Sequence, residues 1–150
     1  MKNRLLIFVA LLLFAACDNP KDKSEKFVIK ASDNKYISLD LNNFTLVANQ
    51  DDKAHAEVFE KVITPEGKTT IRTSKGKYVS ADLGKENKLI ADREKPSDWE
   101  YFEFVPADQG TVHIKSFNGK YICSDQSKGN VLYADKDHAR EWETFKLEQQ

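Results

Sequence analysis

The sequence predicts an all-β fold of twelve short strands, arranged as three copies of one unit of about 42 residues. Three observations predict it. The chain matches itself at that period, the apolar residues of each copy fall in short runs with a period of two, and residues suited to turns separate the runs. The composition allows such a core: 150 residues, 23 Lys plus Arg against 24 Asp plus Glu, and 40% apolar. Six Gly, four Pro and this length suit one domain.

Residues 1–16 read as an export signal. Lys2 and Arg4 form a positive head, an unbroken apolar run extends from Leu5 to Phe14, and Ala15-Ala16 supplies small residues for cleavage. The run is too short to span a bilayer, which needs about 20 apolar residues. Without residues 1–16 the chain keeps 21 basic against 24 acidic groups, a balance that excludes a general nucleic-acid binder. Residues 18–26, DNPKDKSEK, are polar throughout and read as a tether. The folded domain is expected over 27–150.

Within the domain, Ile29, Ile71 and Ile114 open the three registers. Seven residues later stand Tyr36, Tyr78 and Tyr121, each preceded by Lys, and Asp40, Asp82 and Asp125 close those strands. Leu46, Leu89 and Leu132 follow, then Ala48, Ala91 and Ala134. Each copy ends with Glu57, Glu100 or Glu143 and then Phe59, Phe102 or Phe145. In the first copy the strands are expected at 27–32, 35–40, 44–49 and 56–62. Lys75-Gly76 and Asn118-Gly119 signal hairpin turns because Gly tolerates positive φ, and Asp33-Asn34 offers the next best residues.

A residue type present in all three copies is most simply explained by threefold packing. On that ground Trp99, Trp142, Tyr36, Tyr78, Tyr121, Phe59, Phe102 and Phe145 are expected as structural anchors, with the two indoles buried. Asp40, Asp82 and Asp125 read as turn caps. The repeated Glu residues argue against a paired-carboxylate enzyme, and no catalytic residue is assigned. His55, His113 and His138 occupy non-equivalent positions and form no close pair, so neither a metal site nor a cofactor is expected, and His113 should face solvent. Cys123 reads as a small buried apolar residue.

Positions that break the symmetry carry the functional expectation. Ala56 stands where Trp99 and Trp142 stand, so either Phe44 and His55 fill the space or a hollow remains. Tyr133 replaces Val47 and Ile90, and strand alternation turns its phenol outward. Phe117 replaces Ser32 and Ser74, beside Asn118. Tyr133, Phe117 and Asn118 together read as a sugar-stacking surface, the alternative being that the two rings pack on each other or on the tether.

Two resemblances extend this reading. Phe14-Ala15-Ala16-Cys17 resembles the lipobox of bacterial lipoproteins, which implies that Cys17 becomes the first mature residue and carries fatty acyl chains such as palmitate. Residues 17–26 would then tie the domain to a membrane of the bacterial envelope, at the outer membrane or cell surface. The four-stranded units, with Asn118-Gly-Lys-Tyr121, Gly76-Lys-Tyr-Val-Ser-Ala-Asp82, Leu89-Ile-Ala91 and Trp99-Glu-Tyr-Phe102, resemble the fascin-like β-trefoil module over 27–150. That likeness implies a monomeric, non-catalytic domain that binds glycan or envelope polymer, or alternatively a protein-interaction or inhibitor module acting through its loops. The Gln-x-Trp signature of ricin-type lectins does not occur in the chain.

Overall fold

The computed structural model describes residues 24–150. The export signal, Cys17 and most of the tether lie outside the described residues. Twelve strands follow: β1 (Glu25–Ala31), β2 (Tyr36–Leu39), β3 (Leu46–Gln50), β4 (Phe59–Ile63), β5 (Thr69–Thr73), β6 (Tyr78–Asp82), β7 (Lys88–Arg93), β8 (Phe102–Pro106), β9 (Val112–Ser116), β10 (Tyr121–Asp125), β11 (Val131–Lys136) and β12 (Phe145–Gln149). Short 3-10 turns connect several of them.

The first strand begins before the expected Phe27. Glu25 and Lys26 lie in register with Lys61 and Glu60 of β4, and Lys61 bonds Glu25 at 3.4 Å. The last residues assigned to the tether therefore belong to the barrel.

Strands β1, β4, β5, β8, β9 and β12 close a six-stranded barrel, with five-residue ladders at β1–β12, β4–β5 and β8–β9. Hairpins β2–β3, β6–β7 and β10–β11 cap one end. This architecture is a β-trefoil. The β1–β2, β5–β6 and β9–β10 turns fall where the sequence places them: Asn34, Gly76 and Gly119 have φ of 66°, 78° and 79°, the left-handed region that Gly and Asn enter most readily.

The core consists of residues repeated three times. Ile29, Ile71 and Ile114, then Ile37, Val79 and Ile122, then Leu46, Leu89 and Leu132, and finally Phe59, Phe102 and Phe145 all lie in one buried cluster. Each such side chain stabilises by about 1.5 to 3 kcal/mol on leaving water. Ala48, Ala91 and Ala134 sit where the hairpins approach each other, and their backbone N–H groups donate across copies to the carbonyls of Asn130, Phe44 and Asn87 at 2.9, 2.8 and 2.8 Å. All three acceptor residues have left-handed φ, between 59° and 61°.

The tyrosines are anchors of a different kind from the phenylalanines. They stand outside the barrel, opposite Lys30, Arg72 and Lys115 in register. Those cations lie 5.2, 6.0 and 4.8 Å from the respective ring centres, so each ring is held by cation–π attraction rather than by the core. The lysine before each tyrosine forms an ion pair with Asp51, Glu94 or Asp137. Pairs as exposed as these add little to stability.

Candidate functional site

The loop that enters the last strand of each copy departs from the sequence expectation. Trp99 and Trp142 are half-buried surface residues, whereas their neighbours Glu100 and Glu143 are only 2% and 4% exposed. The reason is the hydrogen-bonding need of a tight turn, whose first N–H groups lack partners within the backbone. Glu100 accepts from the N–H and hydroxyl of Ser97 at 2.7 and 3.0 Å, and Glu143 accepts from the Arg140 N–H at 2.8 Å. Turning the carboxylate inward sends the preceding indole outward. In the first copy Glu57 accepts from the Ser74 N–H at 2.7 Å, and Ala56 is likewise at the surface. The absent indole is thus a surface group, and Phe44 and His55 both remain exposed instead of moving inward.

Around Trp142 this geometry opens a groove of about 610 Å³, lined by Asp135 and Lys136 at the end of β11 and by Asp137, His138 and Arg140 to Glu143 of the β11–β12 connection. Its floor is fixed. Lys136 Nζ pairs with Asp135 at 3.1 Å, and His113 Nδ1–H donates to the Glu143 carbonyl at 3.0 Å. His113 also stacks edge-on against Tyr121 with centres 6.0 Å apart, so it is half-buried rather than solvent-facing. The rim is polar: Asp137, His138, Arg140 and Glu141 are exposed. Lys120 hydrogen-bonds Asp137 and holds its carboxyl below the usual carboxylate range. Burial opposes the charge of Asp125, but the Ser127 hydroxyl and the Lys128 ammonium more than offset it and lower that carboxyl too. Burial, with Asp135 beside it, pushes the Cys123 thiol up to about 12, so it is a thiol at neutral pH, as its reading as a buried apolar residue requires.

The three residues expected to form one sugar surface are not brought together. Tyr133 is 5% exposed: β11 crosses between β10 and β7, where Tyr133 pairs with Cys123 and Lys88, and Lys128 and Lys88 lie 4.4 and 6.0 Å from its ring centre. Strand alternation does turn the phenol off the core, but lysine stems from its own copy, Lys128, and from the preceding one, Lys88, cover it. Asn118 is a turn residue, its amide oxygen accepting from the Ser116 hydroxyl at 2.7 Å and the Lys120 N–H at 3.1 Å. Phe117 is open, at 39% exposure, and lines a separate groove of about 590 Å³ with Lys61, Lys68, Tyr101, Phe104 and Lys115.

Asp40, Asp82 and Asp125 are the turn caps expected, accepting from the N–H groups of Asn42, Gly84 and Ser127 at 2.9, 2.9 and 3.1 Å. The inward Glu residues were not anticipated, although Ser97-Asp-Trp-Glu100 carries the S-x-x-E spacing of a reciprocal cap. Among the described residues, no group of three or more His, Cys, Asp or Glu is placed to hold a metal ion.

A family model described as a domain of unknown function, DUF7910, matches residues 71–150, more than half of the chain. The chain belongs to the DUF7910 family. The DUF7910 match takes in the second and third copies, with Trp99, Trp142 and the whole of the Trp142 groove. No curated protein matches the sequence. Solved structures share the trefoil. The designed threefold-symmetric protein ThreeFoil superposes with a TM-score of 0.72 at 10% identity, over 83% of this chain and 99% of its own. A Polyporus squamosus lectin bound to Neu5Acα2-6Galβ1-4GlcNAc gives 0.70 at 13%, over 84% and 49%. SeviL bound to asialo-GM1 saccharide gives 0.64 at 16%, over 84% and 98%. Against the Clostridium perfringens endo-β-galactosidase that releases GlcNAcα1-4Gal, the TM-score is 0.69 at 14% identity, and this chain spans 33% of the enzyme.

Proposed function

We propose that this DUF7910 protein is a lipid-anchored, non-catalytic module that binds glycan at the bacterial cell envelope, and that the Trp142 groove holds the sugar. The observation that carries the reading is an indole kept at the surface by a buried carboxylate, inside a groove whose rim offers Asp137, His138, Arg140 and Glu141. A sugar presents C–H faces that stack on such a ring, and hydroxyls that need charged or amide partners. The Polyporus squamosus lectin and SeviL, each bound to a saccharide, support the reading by analogy of shape. The non-catalytic part is supported by the commitments of the acids: Glu143 serves its turn, and Asp137 is held ionised by Lys120, which disfavours it as a proton donor. The anchor rests on the export signal and Cys17, and β1 begins at Glu25, a few residues beyond that cysteine.

A glycan array probed with the purified protein tests the ligand. Trp142→Ala is expected to lower affinity at least tenfold for whichever glycan binds, and Trp99→Ala to leave it unchanged. A lipid-modified amino-terminal peptide in the mass spectrum of membrane fractions tests the anchor; a free Cys17 thiol in a soluble form overturns it. A second reading, a protein-interaction module, is favoured by exposed Leu41, Phe44 and Leu83 on the hairpin loops of the first two copies. It becomes the leading one if no glycan binds.

A further inference from the structure

The Phe117 groove differs from the Trp142 groove in the sign of its charge. Lys61, Lys68 and Lys115 line it against the single carboxylate of Glu103. Lys61 is paired, to Glu25 at 3.4 Å, and lies 4.6 Å from the Phe104 ring centre. Among the described residues Lys68 and Lys115 form no ion pair, and Lys115 rests over Tyr121. Lys68 thus has its charge free for a ligand, and Lys115, engaged only with a neutral ring, still lacks a counter-ion.

The groove is built from several strands. Thr70 of β5 pairs with Tyr101, the residue before β8, while full ladders join β4 to β5 and β8 to β9. Tyr101, Phe104 and Phe117 are its aromatic lining. Phe117 stands where the other copies carry Ser32 and Ser74, so no threefold packing requirement puts an aromatic ring at this turn. Its 39% exposure leaves a ring for stacking in the same groove as Lys68 and Lys115. The volume of about 590 Å³ is within the range of small-ligand sites.

We infer that this groove is a second binding site, specific for an anionic saccharide whose carboxylate, sulfate or phosphate meets Lys68 and Lys115 while a sugar face stacks on Phe117. It is independent of the Trp142 site, and its charge makes it selective where the acidic Trp142 groove is not. The affinity falls with salt because the cations are solvent-accessible.

The test is titration calorimetry of the purified protein with oligogalacturonate, with a heparin oligosaccharide and with neutral dextran, at low and at physiological salt. Binding in either anionic arm, without binding of dextran, supports the site and names the anionic group. Lys68→Glu, on an exposed turn, is expected to weaken that binding about tenfold, Lys68→Glu with Lys115→Gln to weaken it further, and Phe117→Ser to weaken it severalfold. Trp142→Ala should leave it unchanged, which separates this site from the Trp142 proposal. A thermal melt of each variant checks that the fold persists. Equal binding of dextran, unchanged affinity in folded Lys68→Glu with Lys115→Gln, or binding to phosphatidylglycerol vesicles with none to soluble oligosaccharide would each overturn the assignment.

Discussion

The second and third copies carry the same Trp-Glu pair on the same kind of turn, but the cation behind it differs. In the second copy Arg93 lies 3.0 Å from Asp82, 3.3 Å from Asp92 and 3.8 Å from Glu100, so one guanidinium gathers three carboxylates. Lys136 holds that place in the third copy and pairs with Asp135 alone, while Asp125 turns to Lys128 at 3.6 Å. A planar fork with five donors satisfies several acids at once; an ammonium is a point charge that does not. One repeat is thereby a locked structural corner and the other retains polar groups free for a ligand.

The largest expected effect breaks the lock. Glu100→Ala leaves the Ser97 N–H and part of Arg93 without an acceptor and should cost about 3 kcal/mol, discounted for the exposure of the guanidinium. Glu143→Ala, which strands only the Arg140 N–H, should cost about 2 kcal/mol. Urea denaturation of both variants checks the order; equal losses would remove the distinction between the copies.

Exchanging the cations sharpens it. Arg93→Lys should destabilise by about 1 to 2 kcal/mol, because the replacement reaches one carboxylate. Lys136→Arg should raise the melting temperature and lower glycan affinity, as the guanidinium draws the groove acids together. A third comparison separates packing from binding: Trp99→Ala and Trp142→Ala should each cost only about 1 kcal/mol, since the indoles are half-exposed, and only Trp142→Ala should affect the ligand.

The smallest expected effect is in the first copy. Phe44 has φ of 59° at the position filled by Asn87 and Asn130 elsewhere, a left-handed conformation unfavourable to a bulky side chain, and is 42% exposed. Phe44→Asn should stabilise by about 0.5 to 1 kcal/mol. A loss of stability would mean that the ring packs to advantage despite its backbone.

The barrel was legible in the sequence because its signal is multiplied by three. Ile29, Ile71 and Ile114, or Phe59, Phe102 and Phe145, each repeat a packing requirement, and the turn residues repeat a backbone requirement. Repetition does not reveal direction, however. Trp99-Glu100 and Trp142-Glu143 recur for the sake of the buried acid, and average hydrophobicity assigns the inward place to the wrong partner; the capping spacing from Ser97 was the local signal that would have corrected it. Tyr133 shows another limit. Alternation along β11 gives its side correctly, but Lys88, which covers it, comes from the preceding copy and lies 45 residues away in the sequence. The Phe117 groove draws its lining from β4, β5, β8 and β9 together, and pattern within a single strand cannot register that.

The backbone links between the hairpins have a topological consequence. Ala91 of the second copy reaches the first, Ala134 of the third reaches the second, and Ala48 of the first reaches the third, so the three donors and acceptors form a closed cycle. A cycle has no beginning. The first and last strands also pair, with Phe27 beside Gln149, and the break between them is therefore arbitrary with respect to the architecture. A circular permutant opened at the β4–β5 or β8–β9 turn would preserve every link of the ring, whereas a fragment of one copy would have a donor and an acceptor but no neighbour for either. Three such fragments, identical in sequence, have the symmetry needed to rebuild the cap as a trimer, which is a route by which a fold of this kind arises from a single short gene.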